Sequence, residues 1–123
     1  MCLDIRKRWS LKWPGIGYKI FYKERNGKYT SAFASSKKEY SMDEIVTDDA
    51  ENMLSFNDDT GEYRTGFHLY KRFKTAVNSM SSNYRFKVIK VKYSGVTAVG
   101  KQGGCVAIVA RTMRLVEEMD TCV

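Results

Sequence analysis

The chain predicts an α+β fold, a single compact domain of mostly antiparallel sheet with one main helix packed on it. Three observations carry that expectation. A turn signal at Arg25-Asn26-Gly27 lies between two alternating segments, and an uninterrupted apolar run extends from Cys105 to Ala110. Between them the apolar period changes from two to 3.6 at Lys71 and returns to two from Tyr84. With 123 residues, 43% of them hydrophobic and 13% aromatic, the chain can fill one core, so one domain is expected over 1–123.

Tyr18 to Glu24 and Lys28 to Phe33 should form a hairpin, because Asn-Gly accepts the positive φ values of a tight type I′ turn. Tyr18, Ile20 and Tyr22 share one face, fit for a core, while Lys19, Phe21 and Lys23 share the other, expected to meet mostly water. Residues 41–63 read as an acidic connecting segment with one short helix around Ala50 to Phe56, and Gly66 to Tyr70 as a short strand. Phe73, Ala76, Val77 and Met80 fall at i, i+3, i+4 and i+7, an apolar stripe on a helix of about three turns ending near Ser81-Ser82-Asn83.

Tyr84 to Tyr93 alternates with a phase break: Tyr84, Phe86 and Val88 are apolar at even positions, then Ile89, Val91 and Tyr93 at odd ones. A β-bulge at Val88-Ile89 would restore one apolar face and gather Arg85, Lys87, Lys90 and Lys92 into a basic ridge on the other. Cys105 to Ala110, apolar at every position, predicts a central strand buried on both faces and continuing through Met113 and Leu115.

The formal charge of +7 is unevenly spread. Residues 1–40 carry ten Lys/Arg against three Asp/Glu, 41–63 none against eight, and 64–123 eleven against three. The acidic block is a solvated connection, a shield over a basic patch of its own chain, or a mimic that competes for a nucleic-acid-binding partner; the rest of the chain signals an anionic partner. The longest apolar run is far short of the roughly 20 residues of a membrane helix, and no signal-peptide core follows Arg6-Lys7-Arg8, so a cytoplasmic protein without membrane contact is expected. Cys2, Cys105 and Cys122 lack metal-ligand spacing and His68 is the one histidine, which predicts reduced thiols, no metal and no cofactor.

Several motifs fall short of the chemistry they suggest. Gly95 to Lys101 has the glycine and lysine spacing of a phosphate-binding loop, but Gln102 stands where Ser or Thr should hold magnesium, and Gly103-Gly104 leads into a strand instead of a helix. Gly15-Ile16-Gly17 lacks the third glycine of a dinucleotide fingerprint. Around Asn57 to Glu62 a calcium loop would need oxygen ligands at Phe56 and Phe67. Cys2 would be an N-terminal nucleophile if Met1 were trimmed, the opening shared with class II glutamine amidotransferases, yet nothing beyond Met1-Cys2 continues that pattern.

Anion-binding groups are better represented. Lys71, Arg72 and Lys74 stand in the first turn of the helix, where cations oppose the helix dipole and an anion would relieve them. Arg111 and Arg114 form a second cluster, in which Arg111, between Val109 and Met113, must snorkel, pair with a carboxylate of the acidic block or meet a phosphate. His68 and Tyr70 lead into the helix, and Tyr70 or Trp13 offers a ring for stacking a base. The expected ligand set is therefore His68, Tyr70, Lys71, Arg72, Lys74, Arg111, Arg114 and Trp13, with no catalytic residue; the nucleic-acid alternative is Arg85, Lys87, Lys90 and Lys92.

The Met1-Cys2-Leu3 start, Gly17 to Phe21, Gly66-Phe67-His68 with Ala76 eight residues after the histidine, Val91 to Gly100 and Val109 to Met113 resemble small bacterial and phage proteins. That resemblance implies a compact α+β domain in a phage or mobile-element setting, hence host cytoplasm, and carries no catalytic residues. The Gly-Phe-His strand followed by a helix is also similar to ADP-ribosyltransferase folds, which would leave Glu117-Glu118 as the acidic candidates of a degenerate enzyme. Without a complete catalytic set, the expectation is a non-enzymatic binding or inhibitor protein. It would act stoichiometrically on an anionic nucleotide-type ligand or a host defence protein.

Overall fold

Two long strands organise the molecule. The computed structural model describes residues 5–6, 15–31, 38–48, 52–55, 61–80, 85–102 and 105–120. Along the chain these form β1 (Ile5–Arg6), β2 (Gly15–Lys23), β3 (Tyr29–Ser31), β4 (Glu39–Tyr40), β5 (Ile45–Thr47), β6 (Met53–Ser55), β7 (Glu62–Arg64), β8 (Phe67–Tyr70), α1 (Phe73–Ser79), β9 (Phe86–Gln102) and β10 (Cys105–Glu118). The β9 and β10 segments are rich in Val, Ile, Thr and Tyr, residues suited to a pleated, packed surface, and they pair antiparallel from Ile89↔Glu118 to Gln102↔Cys105.

Every pairing among the described residues is antiparallel, and four of them close a ring: β9 with β10, β10 with β8, β8 with β2 through Tyr18↔Tyr70, and β2 with β9. Inside it lies the main core, with Phe21, Tyr29, Tyr40, Val46, Leu69, Ile89, Val91, Tyr93, Ile108, Met113 and Leu115 all buried. Outside, α1 sets Ala76 against Ile20 and Val88, and the β6–β7 hairpin lays Tyr63 and Leu54 on Ala107 and Val109. The result is one compact, mostly antiparallel domain in which the helix, seven residues long, is a minor cover instead of the main second layer.

The hairpin of β2 and β3 forms where the sequence places it, but its turn differs. Gly27 N–H donates to the Glu24 carbonyl (3.0 Å) and Gly27 has φ +83°, while Asn26 is not in the positive-φ region that a type I′ turn requires. Asn26 instead accepts the Lys28 N–H through Oδ1 at 3.0 Å. Both faces of β2 are covered: Ile20 lies under α1, and Phe21, on the face expected to meet water, is fully buried in the ring.

Three further expectations are corrected. Within the acidic segment Met53–Ser55 is a strand paired with Glu62–Arg64, not part of a helix, because Leu54 gains a packing partner in Tyr63 that an isolated two-turn helix would lack. The helix ends at Ser79 and is capped at Met80, short of three turns, and its Phe73, Ala76, Val77 and Met80 stripe does face the sheet. No bulge occurs at Val88-Ile89: the register with β2 runs unbroken from Gly15↔Tyr93 to Tyr22↔Phe86. Val88 is buried outward under α1 and Ile89 inward in the ring, so the phase break marks a strand covered on both sides. Extra residues occur instead in β10 at Val116, between Leu115↔Val91 and Glu117↔Lys90, and in β9 at Thr97, between Val109↔Ala98 and Ala110↔Val96.

Candidate functional site

Unbroken alternation along β9 from Phe86 to Tyr93 divides the expected basic ridge. Lys90 and Lys92 share the outer face with Val88, whereas Lys87 shares the parity of Ile89 and Val91, and Arg85 extends that line beyond the strand end. The division brings Arg85 and Lys87 beside β2, since Phe21 pairs with Lys87 and the Lys23 N–H donates to the Arg85 carbonyl at 2.8 Å. Lys23, Glu24, Arg25, Arg85 and Lys87 line an open pocket of about 290 Å³ at this end of the ring.

Each lining group has a defined support. Lys23 Nζ lies 3.2 Å from Glu118 Oε1 and 5.9 Å from the Tyr29 ring centre, and the Arg85 guanidinium stands 5.9 Å from the Tyr22 ring centre, itself edge-on to Phe86. Glu24 accepts a hydrogen bond from Thr30 Oγ1 at 3.2 Å. Tyr29 donates to Glu118 Oε1 at 2.9 Å. Burial alone would raise the Glu118 carboxyl, but hydrogen bonds from Tyr29 and Lys23 and the charges of Lys23 and Lys87 hold it below the usual carboxylate range. Burial first, then Glu118, pushes the Tyr29 hydroxyl up to about 12. Glu118 thus anchors Lys23 on one side of a pocket whose lining is four cations and one carboxylate.

The expected ligand set is not brought together. His68 is directed towards Tyr63, with Nε2 3.1 Å from its hydroxyl, and Tyr70 packs in the outer cluster with Tyr18 and Phe73. Lys71, Arg72 and Lys74 do lie at the start of α1, where Arg72 is the extended cap residue without a side-chain cap and no acidic residue occupies the first turn. Seven residues give that helix little dipole to offer an anion. Trp13 lies outside the described residues.

Arg111 takes the pairing with the acidic block. It donates from Nη1 to the Thr65 carbonyl at 2.6 Å and lies 3.8 Å from Asp48 Oδ1, while Asp48 N–H donates back to the Arg111 carbonyl at 2.7 Å. With side chains only 15% and 22% exposed, the pair latches the acidic segment onto β10. Arg111→Met is expected to cost about 2 kcal/mol in denaturant unfolding, from the lost charged hydrogen bond to the Thr65 carbonyl and the lost attraction to Asp48, while leaving phosphate binding at the pocket unchanged. Arg114 lies on the outer face of β10, paired with Lys92 on one side and Ile45 on the other.

Lys23 and Arg25 escaped the sequence reading, although they flank the Asn-Gly turn; only the register with Arg85 and Lys87, some sixty residues on, makes them a site. The Gly95 to Gln102 motif lies within β9, so its glycines shape a strand and form no phosphate loop. Glu117 is opposite Lys90 and Glu118 is held by Tyr29 and Lys23. Among the described residues no three His, Cys, Asp or Glu side chains converge as metal ligands, and no helix is long and apolar enough to cross a membrane. Comparison with protein-family models, curated proteins and solved structures found no match.

Proposed function

We propose that the protein is a non-enzymatic binding protein that captures a phosphate-bearing anion in the pocket of Lys23, Arg25, Arg85 and Lys87. The convergence of four cations from the two ends of paired strands on one opening carries this reading. At about 290 Å³ the open space is just below the roughly 300–1,000 Å³ of enclosed small-molecule pockets, so it suits the phosphate end of a ligand whose remainder stays in solvent. Arg85 offers a planar fork for a bidentate phosphate contact, and Lys23 and Lys87 add point charges. The resemblance to phage proteins supplies the setting: stoichiometric action against host defence, by sequestering a nucleotide signal or blocking a defence complex.

Calorimetric titration with inorganic phosphate, linear and cyclic nucleotides and oligothymidylate tests the reading. Saturable one-to-one nucleotide binding is expected, with recovered ligand chemically intact, and Arg25→Ala/Lys87→Ala should weaken it at least tenfold, about 1.4 kcal/mol, at unchanged melting temperature. Absence of binding to every phosphate species, or indifference to the double variant, refutes it. Binding of oligothymidylate alone, with affinity falling steeply with salt, replaces it by direct nucleic-acid binding. Release of nicotinamide from NAD, abolished by Glu117 and Glu118 substitutions, replaces it by an ADP-ribosyltransferase-like activity.

A further inference from the structure

On the outer face, one row of directly opposite residues crosses four strands: Ile16 on β2 pairs with Lys92 on β9, Lys92 with Arg114 on β10, and Arg114 with Ile45 on β5. At about 4.8 Å per strand the row is roughly 14 Å wide. Burial agrees with the parity, because Gly17, Val91, Met113 and Val46 are turned inward while Ile16 and Ile45 are 44% and 69% exposed. Neither cover reaches it: α1 packs on Ile20 and Val88, and the β6–β7 hairpin on Ala107 and Val109.

The centre of this row is electrostatically unfavourable as it stands. Lys92 and Arg114 are directly opposite each other, a like-charge pairing that disfavours the sheet, and among the described residues neither forms an ion pair. The adjacent cation, Lys90, has Glu117 across from it. One carboxylate between Lys92 and Arg114 would satisfy both cations, and apolar groups to either side would cover the two isoleucines.

We propose that this face docks an acidic, apolar segment of a partner protein, its carboxylate between Lys92 and Arg114 and its apolar side chains on Ile16 and Ile45. The proposal goes beyond the phosphate-binding reading and shares no residue with that pocket. A second copy of the chain applied by two-fold symmetry would oppose the same cations to themselves. A nucleic acid would find aliphatic ends in place of stacking rings, since nearby Tyr18 is packed edge-on against Phe73 at 5.7 Å.

Amide shift mapping by NMR with a soluble peptide of two Leu-Glu-Leu units joined by Gly-Ser tests the proposal. Saturable shifts are expected at 15–17, 45–47, 90–94 and 112–115. Glu→Gln in the peptide, or Lys92→Glu/Arg114→Glu in the protein, should weaken binding at least tenfold, and Ile16→Ser/Ile45→Ser at least fivefold; Ile16, Ile45 and Lys92 are exposed and Arg114 is half-buried, and melting curves verify folding. Arg25→Ala/Lys87→Ala should leave it unchanged, which separates failure here from failure of the phosphate pocket. Absence of saturable binding, shifts confined to 23–25 and 85–87, stronger shifts of the same amides by oligothymidylate, or a dimer in sedimentation that Arg114→Glu dissolves would each overturn it.

Discussion

Phe21→Ala is expected to destabilise the protein by about 4 kcal/mol, the middle of the range for truncating a buried aromatic. Phe21 is fully buried where β2 meets β3, with ring centres 6.1 Å from Tyr29 and 5.7 Å from Tyr40, both edge-on, so its removal leaves a cavity bounded by two other aromatics. Against a total stability of about 5–15 kcal/mol, such a loss brings a domain of this size near its unfolding threshold. The effect also reaches the pocket. Phe21 lies opposite Lys87 and two residues from Lys23, and Tyr29 holds Glu118, so loosening this cluster should weaken phosphate binding even in molecules that stay folded. Urea unfolding at pH 7 decides the matter. A loss under about 1 kcal/mol would mean that the ring core is not centred on these aromatics.

How far this architecture can be read from sequence depends on whether each segment is decided locally. The Asn-Gly hairpin, the 3.6-period stripe of Phe73 to Met80 and the apolar Cys105 to Ala110 run carry their own signals, and each forms where it is expected. The β9 strand does not. Its switch from Phe86 and Val88 to Ile89 and Val91 is produced by α1 covering the outer face at one end only, so a two-sided strand imitates a bulged one-sided strand. Lys19, Phe21 and Lys23 mislead for a related reason, since a curled sheet puts even a lysine-bearing face inside. For the sites, Arg111 was limited to three options by its place in a buried strand, and the acidic segment takes one of them. The basic pocket and the Ile16–Lys92–Arg114–Ile45 row depend on register between distant strands, which no local pattern records.

Acidification from pH 7 to 4 is expected to remove on the order of 3 kcal/mol of stability through His68 alone, at 1.36 kcal/mol per pH unit of displacement. Burial, and then the charge of Lys19, lower the His68 imidazole from 6.5 to about 4 against a smaller upward push from a backbone hydrogen bond at Gly66. As pH falls below 6.5 the unfolded chain takes up a proton that the folded chain refuses until about 4, so stability is complete above 6.5, declines through that window and then levels. Glu118 acts in the same direction at lower pH, since its depressed carboxyl loses its stabilising charge as it is protonated. Lys19 gives the alkaline counterpart. Its ammonium donates to the His68 carbonyl at 3.1 Å across the seam where β8 and β2 part, and burial lowers it from 10.5 to about 8. The unfolded chain therefore holds the extra proton between 8 and 10.5, and stability rises across that interval. His68→Gln should flatten the curve between 4 and 6.5. Lys19→Met should shallow it, abolish the alkaline rise and add about 2 kcal/mol at pH 7, the relieved desolvation less one hydrogen bond. Urea midpoints measured from pH 4 to 10 read all three effects. A wild-type curve that is flat below pH 6.5, or a slope that survives His68→Gln, would show that the imidazole titrates freely and that the Tyr63 cover over it is open.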